Sequence, residues 1–173
     1  MMLFEEQLNV DISDSFQKME KDKADEMYPY DKKPQIILED GGTHRFCTFS
    51  LLEAQPLIDN QVEDAIWIIS KVVTSLYPSC MLDKPQLIEC QNGASGWFSY
   101  RSAGTEGELF NVMYIFPVNS CMMLGTIGCM VEDKTGKKWM MELMASLKAF
   151  KKNFSWVLNG KGGKFYEKGE FRR

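Results

Sequence analysis

The feature that most constrains the fold is a run of 23 residues without a charge, at positions 109–131. A run of this length can cross a bilayer as one helix. A β-hairpin is the alternative, and the sequence favours it, because Pro117, Val118, Asn119 and Ser120 lie at the middle of the run, where a turn would fall. Both flanks are rich in residues that suit strands. We therefore predict two strands that turn within residues 117–120, and no membrane insertion.

Turn signals divide the rest of the chain into short strands and amphipathic helices. Apolar residues recur with helical spacing over residues 62–77, with Asn60 as the N-cap, and a second helical pattern spans residues 140–151. A weaker helix is predicted over residues 16–28, and the Gly41-Gly42 pair is expected to supply the positive φ of a hairpin. Strands are predicted at residues 7–12, 35–38, 45–52, 86–90, 94–102, 108–116 and 121–132.

Length and composition indicate one folded domain followed by a tail. Of the 173 residues, 45% are hydrophobic and 25% are charged, which is typical of a soluble globular chain. We assign residues 1–152 to a single α+β domain. Residues 153–173 form a basic C-terminal tail that contains aromatic residues and four glycines.

Charge and cysteine content bear on partners and compartment. The net charge of −4 and the isoelectric point near 5.1 disfavour nucleic acid as a partner. The five cysteines are odd in number and have no short repeated spacing, as expected of reduced thiols. The first residues show neither the basic region nor the apolar core of a signal peptide. We expect a cytoplasmic protein with five free thiols.

The order of elements resembles the PsbP-like fold over roughly residues 7–150. This fold is shared by the extrinsic photosystem II subunit, the Ran-binding Mog proteins and the bacterial DcrB-like proteins. The resemblance implies an α+β fold in which an antiparallel β-sheet meander is sandwiched by helices. The motifs that carry it are Val10-Asp11-Ile12, Phe16-Gln17-Lys18-Met19, Tyr28-Pro29 with Pro34, Phe49-Ser50-Leu51, and Trp139 with Ser146-Leu147-Lys148.

The same resemblance implies a role in protein binding. Relatives act mainly by binding other proteins, and they include DcrB-like chaperones of secreted effectors in type VI systems. The chain differs from exported relatives because it lacks their export signal and has a basic, glycine-rich tail. The expected function is that of a bacterial, cytoplasmic, non-enzymatic adaptor or chaperone-like module. Twelve methionines agree with an adaptable apolar binding surface.

Catalytic and metal chemistry has little support in the sequence. His44 is the single histidine, and Cys47, three residues later, would point to the opposite face of a strand. The cysteines form no C-x-x-C unit, and neighbouring acidic residues lie mostly at element ends, where solvent-exposed charges are usual. We therefore predict no catalytic residue, no metal site and no cofactor.

A small-ligand-binding protein or a small enzyme is the alternative function. Its pocket would lie near the strand ends of the meander and would use Tyr100, Arg101, Glu106 and Glu108. An enclosed pocket with converging polar groups would favour this alternative, whereas an open apolar groove would favour protein binding.

The predicted partner-binding surface is one face of the meander. Polar Ser99, Arg101 and Asn111 are expected on the face turned away from the helix at 62–77. The tail, through its alternating apolar residues, is expected to cover part of this face in the same or a neighbouring chain, so that a homo-oligomer is one arrangement. The remainder would receive an apolar segment of another protein. The site residues are Trp97, Arg101, Asn111, Met113, Ile115, Phe154 and Trp156, with Leu109 on the same face and Leu158 in the tail.

Overall fold

The structure is a computed structural model that describes residues 1–29, 32–104 and 107–151. The expectations for the tail, including Phe154, Trp156 and Leu158, and the role given to Glu106 lie outside the described residues. The strands are β1 (Met2–Leu3), β2 (Leu8–Asn9), β3 (Gln17–Lys18), β4 (Ile36–Asp40), β5 (Arg45–Pro56), β6 (Gln86–Cys90), β7 (Gly93–Ala103), β8 (Glu108–Val118), β9 (Cys121–Met130) and β10 (Lys148–Ala149).

Two antiparallel sheets form from the described residues. The large sheet has seven strands in the order β3-β4-β5-β9-β8-β7-β6, so that β6 to β9 follow one another as a meander. The small sheet has the order β1-β2-β10 and joins the N-terminal residues to the end of the described chain. The α+β fold with an antiparallel meander is therefore confirmed.

The helices are α1 (Lys21–Met27), α2 (Val62–Leu76) and α3 (Gly136–Ala145). The helix at 62–77 is confirmed, but Asn60 is not its N-cap, because it lies in a 3₁₀ turn, Asp59–Gln61. The predicted start of α1 at residue 16 was wrong, since β3 pairs with β4 before α1 begins. The predicted end of α3 near residue 151 was also wrong. The helix ends at Ala145, and Lys148–Ala149 form β10, which pairs with β2.

The long uncharged run forms the β8–β9 hairpin, as predicted. Val118 pairs with Cys121, and the two turn residues, Asn119 and Ser120, have φ values of 51° and 64°. Positive φ values at both turn residues are typical of a type I′ turn. The backbone twist of this turn matches the twist of the two strands that it connects in a two-residue hairpin. Among the described residues, no helix has the length and apolar character needed to cross a membrane.

The β4–β5 hairpin turns differently from the expectation. The positive φ in its loop belongs to His44, at 55°, and not to the paired glycines before it. A four-residue loop built around a type I turn commonly ends in a left-handed residue, and the loop over residues 41–44 has this length. The glycines are therefore not required here for their backbone freedom.

Strand register overturns the predicted face of the meander. The β7–β8 pairs include Phe98 with Met113 and Tyr100 with Asn111, so even positions of β7 share a face with odd positions of β8. The prediction had joined odd positions of both strands. The loop between Ala103 and Glu108 contains four residues, and an even loop length reverses the parity across the hairpin.

Helices cover both faces of the large sheet, but to different extents. We call the closed face the one on which α3 and the N-terminal segment pack, with Tyr114, Phe116 and Met140 at its centre. We call the open face the opposite one, which α2 covers through Val62 and Ile66. Helix α1 packs at the far side of the open face, near Ile37 and Phe46.

Candidate functional site

A cleft of about 820 Å³ lies on the open face, between α1 and the C-terminal half of α2. Met27 and Tyr28 line it from the end of α1, and Val73 and Tyr77 line it from α2. The cleft exists because the two helices pack on different parts of the same sheet face and leave the strands between them partly uncovered. Strand residues that line it are Glu39, Arg45, Phe46, Tyr100, Arg101, Ser102, Ala103, Leu109, Asn111, Met113, Thr126 and Met130.

The sheet side of the cleft carries the uncharged polar groups of Tyr100, Asn111 and Thr126 beside the charged strand residues Glu39, Arg45 and Arg101. Tyr100 and Thr126 both line the cleft, and burial raises the pKa of Tyr100 to about 12. Burial also raises the pKa of Tyr28. Asn111 is 3% exposed, and its side-chain nitrogen donates a hydrogen bond of 2.9 Å to the hydroxyl of Ser102. The phenols therefore stay protonated at neutral pH and offer hydroxyl groups rather than charge.

The lysine and arginine side chains that line the cleft are engaged in ion pairs. Lys23 pairs with Glu39, and the guanidinium of Arg101 lies 3.3 Å from the carboxylate of Glu108. Arg45 donates to both carboxylate oxygens of Asp133, at 2.7 and 3.1 Å, and holds the pKa of that carboxyl down at about 2. These pairs leave the described lining with little uncompensated positive charge.

The structure separates the predicted site residues. Trp97 lies on the closed face against the main core, and its indole nitrogen is buried without a hydrogen-bond partner in the part of the chain that the structure describes. Asn111, Met113 and Ile115 lie on the open face, where Ile115 is fully buried and Met113 packs near α2. The expectation of one shared face was wrong. That these residues bind a partner stays a prediction.

The residues proposed for the alternative function are also divided. Tyr100 and Arg101 both line the cleft, whereas Glu108 is outside its lining and pairs with Arg101. His44 lies at the cleft, and Cys47 is buried in the core of the closed face. Within the described residues, no group of three or more potential metal ligands comes together. Of the proposed set, Tyr100 is the partly buried group at the cleft.

Sequence reasoning missed the contribution of the helices to the cleft. Helical periodicity identified α2 but assigned Val72 and Leu76 to the stripe that faces the core, whereas both side chains are exposed. The signal that could have revealed this exposure was the width of the apolar pattern: Ile68, Val72 and Leu76 recur every four residues beside the stripe that packs on the sheet.

These outward residues form what we call the α2 stripe, defined as Ile68, Val72, Leu76 and Tyr77. Ile68 is 62% exposed, Val72 50%, Leu76 67% and Tyr77 50%. Tyr77 also lines the cleft, so the α2 stripe adjoins it at the C-terminal end of the helix. Contiguous exposed apolar side chains of this kind are uncommon on soluble monomers unless they bind something.

Comparison with solved structures identifies the fold. The Ran-binding protein Mog1p of Saccharomyces cerevisiae matches with a TM-score of 0.52 and 9% identity, over 86% of this chain and 93% of that chain. Cyanobacterial PsbP (CyanoP) from Synechocystis sp. PCC 6803 matches with a TM-score of 0.54 and 11% identity, over 87% of this chain and 91% of that chain. No family model matches the chain, and no curated protein matches it in sequence.

The chain has the fold of PsbP and Mog1p, and the resemblance first seen in short sequence motifs is confirmed. Both matches cover most of this chain and nearly all of the solved one. At 9–11% identity the likeness establishes the architecture alone.

Proposed function

We propose that this protein is a non-enzymatic, cytoplasmic protein-binding module, and that the α2 stripe is its docking surface. The observation that carries the proposal is the exposure of Ile68, Val72 and Leu76 in one line along a helix. The fold likeness supports it, since one of the matched proteins, Mog1p, is described as Ran-binding. The partner is a protein that presents an apolar segment.

The energetics of the α2 stripe favour association with an apolar partner. Burying apolar surface yields about 25 cal/mol per Å² removed from water. Large aliphatic and aromatic side chains that already lie on a rigid helix lose little further freedom on binding, so more of this gain is kept. An amphipathic helix of the partner, with anchors spaced at i and i+4, fits a surface with the same spacing.

The test compares capture by the intact protein with capture by matched variants. The intact protein serves as bait in an extract of the native host, and captured proteins are identified by mass spectrometry. The double variant Ile68→Glu, Leu76→Glu places two charges on the α2 stripe. The control variant Gln55→Glu, Gln91→Glu adds the same charge at two exposed positions elsewhere. Circular dichroism checks that each variant is folded.

The expected result is a protein that the intact chain and the control capture equally and that the α2 stripe variant loses. Its purified form should then bind the stripe variant at least about tenfold more weakly, which corresponds to about 1.4 kcal/mol. Equal capture by all three baits would refute the docking surface. If the captured protein is a second copy of this chain, light scattering will show the oligomer. Cell fractionation of the native host tests the cytoplasmic location.

A further inference from the structure

The cleft carries an inference separate from the α2 stripe. We propose that it binds an uncharged, largely apolar small molecule that carries a hydroxyl or carbonyl group. Its volume of about 820 Å³ falls within the range of about 300–1,000 Å³ that is usual for small-molecule sites. The site is also formed by three separate parts of the fold, α1, α2 and the sheet, which is common for ligand sites.

The apolar part of the ligand is indicated by the walls of the cleft. Four methionines, Met19, Met27, Met113 and Met130, line it together with aliphatic and aromatic side chains. Unbranched thioether side chains adapt their shape and make favourable contacts with aromatic rings. A flat or flexible apolar body is therefore the shape that these walls accommodate best.

The polar group of the ligand is indicated by the sheet side of the cleft. Tyr100, Thr126 and Asn111 bring hydroxyl and amide groups to the cleft, each able to donate or accept. A few uncharged polar groups in an apolar site fix the orientation of a ligand hydroxyl or carbonyl. An anionic ligand would have to compete with Glu39, Asp133 and Glu108 for the lysine and arginine side chains at the cleft.

The geometry favours a small molecule over a protein segment. Asn111 is 3% exposed and Phe46 is 6% exposed, although both line the cleft. A slender ligand reaches groups that are this deep, whereas an α-helix with side chains is about 10–12 Å across. The α2 stripe, by contrast, faces outward and suits a larger partner. The two surfaces therefore serve different kinds of ligand.

The test uses 1-naphthol, which is uncharged at neutral pH, and compares it with naphthalene and the anion 1-naphthoate. Titration calorimetry measures each affinity, and amide NMR spectra of the full chain locate the binding. We expect saturable binding of 1-naphthol with shifts at Asn111 and Thr126, and binding of 1-naphthoate at least tenfold weaker. The absence of saturable 1-naphthol binding, or equal affinity for 1-naphthoate, would overturn the proposal.

Adjacent positions on α2 supply matched variants. Val73→Phe extends a side chain that lines the cleft, and Val72→Phe makes the same change on the exposed α2 stripe. Val73→Phe should weaken 1-naphthol binding at least tenfold, and Val72→Phe less than twofold. Equal loss in both would place the binding on the stripe and refute the cleft.

Tyr100→Phe keeps the shape of the cleft, so it tests the polar contact even if Val73→Phe is poorly folded. It should weaken 1-naphthol severalfold and leave naphthalene unchanged; an unchanged 1-naphthol affinity would overturn the role of this hydroxyl. The variant Ile68→Glu, Leu76→Glu should bind 1-naphthol normally. A result that refutes ligand binding in the cleft can therefore be distinguished from a result that refutes protein docking on the α2 stripe.

Discussion

The two faces of the large sheet differ in how completely they are covered. On the closed face, α3 and the N-terminal segment cover a continuous core in which Tyr114, Met123 and Met140 are fully buried. On the open face, α1 and α2 leave a cleft between them, and α2 exposes an apolar stripe. The closed face therefore supplies most of the packing energy, and the open face holds the surfaces that are available for binding.

The largest expected difference between the faces is the loss of stability caused by a leucine-to-alanine substitution, made once on α3 and once on α2. Leu143 of α3 is 1% exposed, and Leu76 of α2 is 67% exposed. Leu143→Ala should lower the free energy of unfolding by about 2–5 kcal/mol, because it removes buried methyl groups and leaves a cavity. Leu76→Ala should change it by less than about 0.5 kcal/mol. Urea unfolding measures both, and equal losses would refute the contrast.

Glycine-to-alanine substitutions on the two faces test the same difference in packing with a smaller change in side-chain volume. A Cβ at Gly125 would lie 2.4 Å from both the carbonyl oxygen of Thr48 and the ring of Tyr114, which is buried on the closed face. A Cβ at Gly96 would lie 2.8 Å from a side-chain atom of Ile66 on α2. At Gly96 the nearest atom is the Cβ of Ile66, which moves only with α2, whereas at Gly125 the overlap is deeper and includes the backbone of β5. Gly125→Ala should therefore cost about 3 kcal/mol and Gly96→Ala about 1 kcal/mol.

Thermal and urea unfolding of the two alanine variants test this order. Gly41→Ala is the control, since a Cβ there would meet nothing within 4 Å. A cost for Gly96→Ala that equals or exceeds that of Gly125→Ala would mean that α2 is packed as tightly as the closed face.

The sequence predicted the strands and α2 well because their signals are local. The run at 109–131 has a turn signal at its centre, and α2 has regular apolar spacing, so neither depends on distant contacts. The short strands β1, β3 and β10 escaped prediction, because two-residue strands form only when remote parts of the chain meet, whereas β2 lies within the strand predicted at residues 7–12. The prediction that α3 continues to about residue 151 was wrong for the same reason. The helical apolar pattern is local, whereas the strand pairing of Ala149 with Leu8 depends on a distant part of the chain.

The candidate site could not be predicted from the sequence because it depends on register and on helix placement. A loop of four residues between β7 and β8 reversed the parity and moved Asn111, Met113 and Ile115 to the open face. The cleft arises from the spacing between α1 and α2, which no local pattern records. Tyr100 was identified in advance, since it lies near a strand end of the meander.

The ion pair between Arg45 and Asp133 gives a pH-dependent contribution to stability. Arg45 binds Asp133 and lies over the ring of Trp139, so it ties the start of β5 to α3. Asp133 has a pKa of about 2 in the folded chain, against about 3.9 for an unperturbed Asp. The contribution is therefore complete above about pH 4 to 5 and is lost as the pH falls toward 2.

Asp133→Asn should lower the free energy of unfolding at pH 7 by about 1–2 kcal/mol, because it removes charge-assisted hydrogen bonds. The difference between the intact chain and the variant should shrink between about pH 4 and 2 as Asp133 becomes protonated. Urea unfolding at several pH values measures it. A difference that stays constant down to pH 2 would contradict the assigned ion pair. Glu132→Gln, at an exposed neighbouring position, is the control.

Cysteine labelling compares the two faces without any substitution. Cys47 lies in the closed-face core, where burial raises its pKa to about 12, whereas Cys80 lines the cleft and is partly exposed. All five cysteines are free thiols in the structure. A thiol must be exposed and ionised to react, so in the native protein Cys80 should react with iodoacetamide well before Cys47. The measurement is peptide mapping by mass spectrometry at timed intervals.

Under denaturing, non-reducing conditions the same reagent should add one label to each of the five cysteines. Three labels or fewer would reveal a disulfide and would contradict a reducing compartment. Native labelling of Cys47 at the rate of Cys80 would show that the closed face opens as readily as the cleft. Saturating 1-naphthol should slow the labelling of Cys80 and leave that of Cys121, which lies outside the cleft lining, unchanged. Because the reagent reports on access rather than on stability, it separates a ligand that fills the cleft from one that only stabilises the fold.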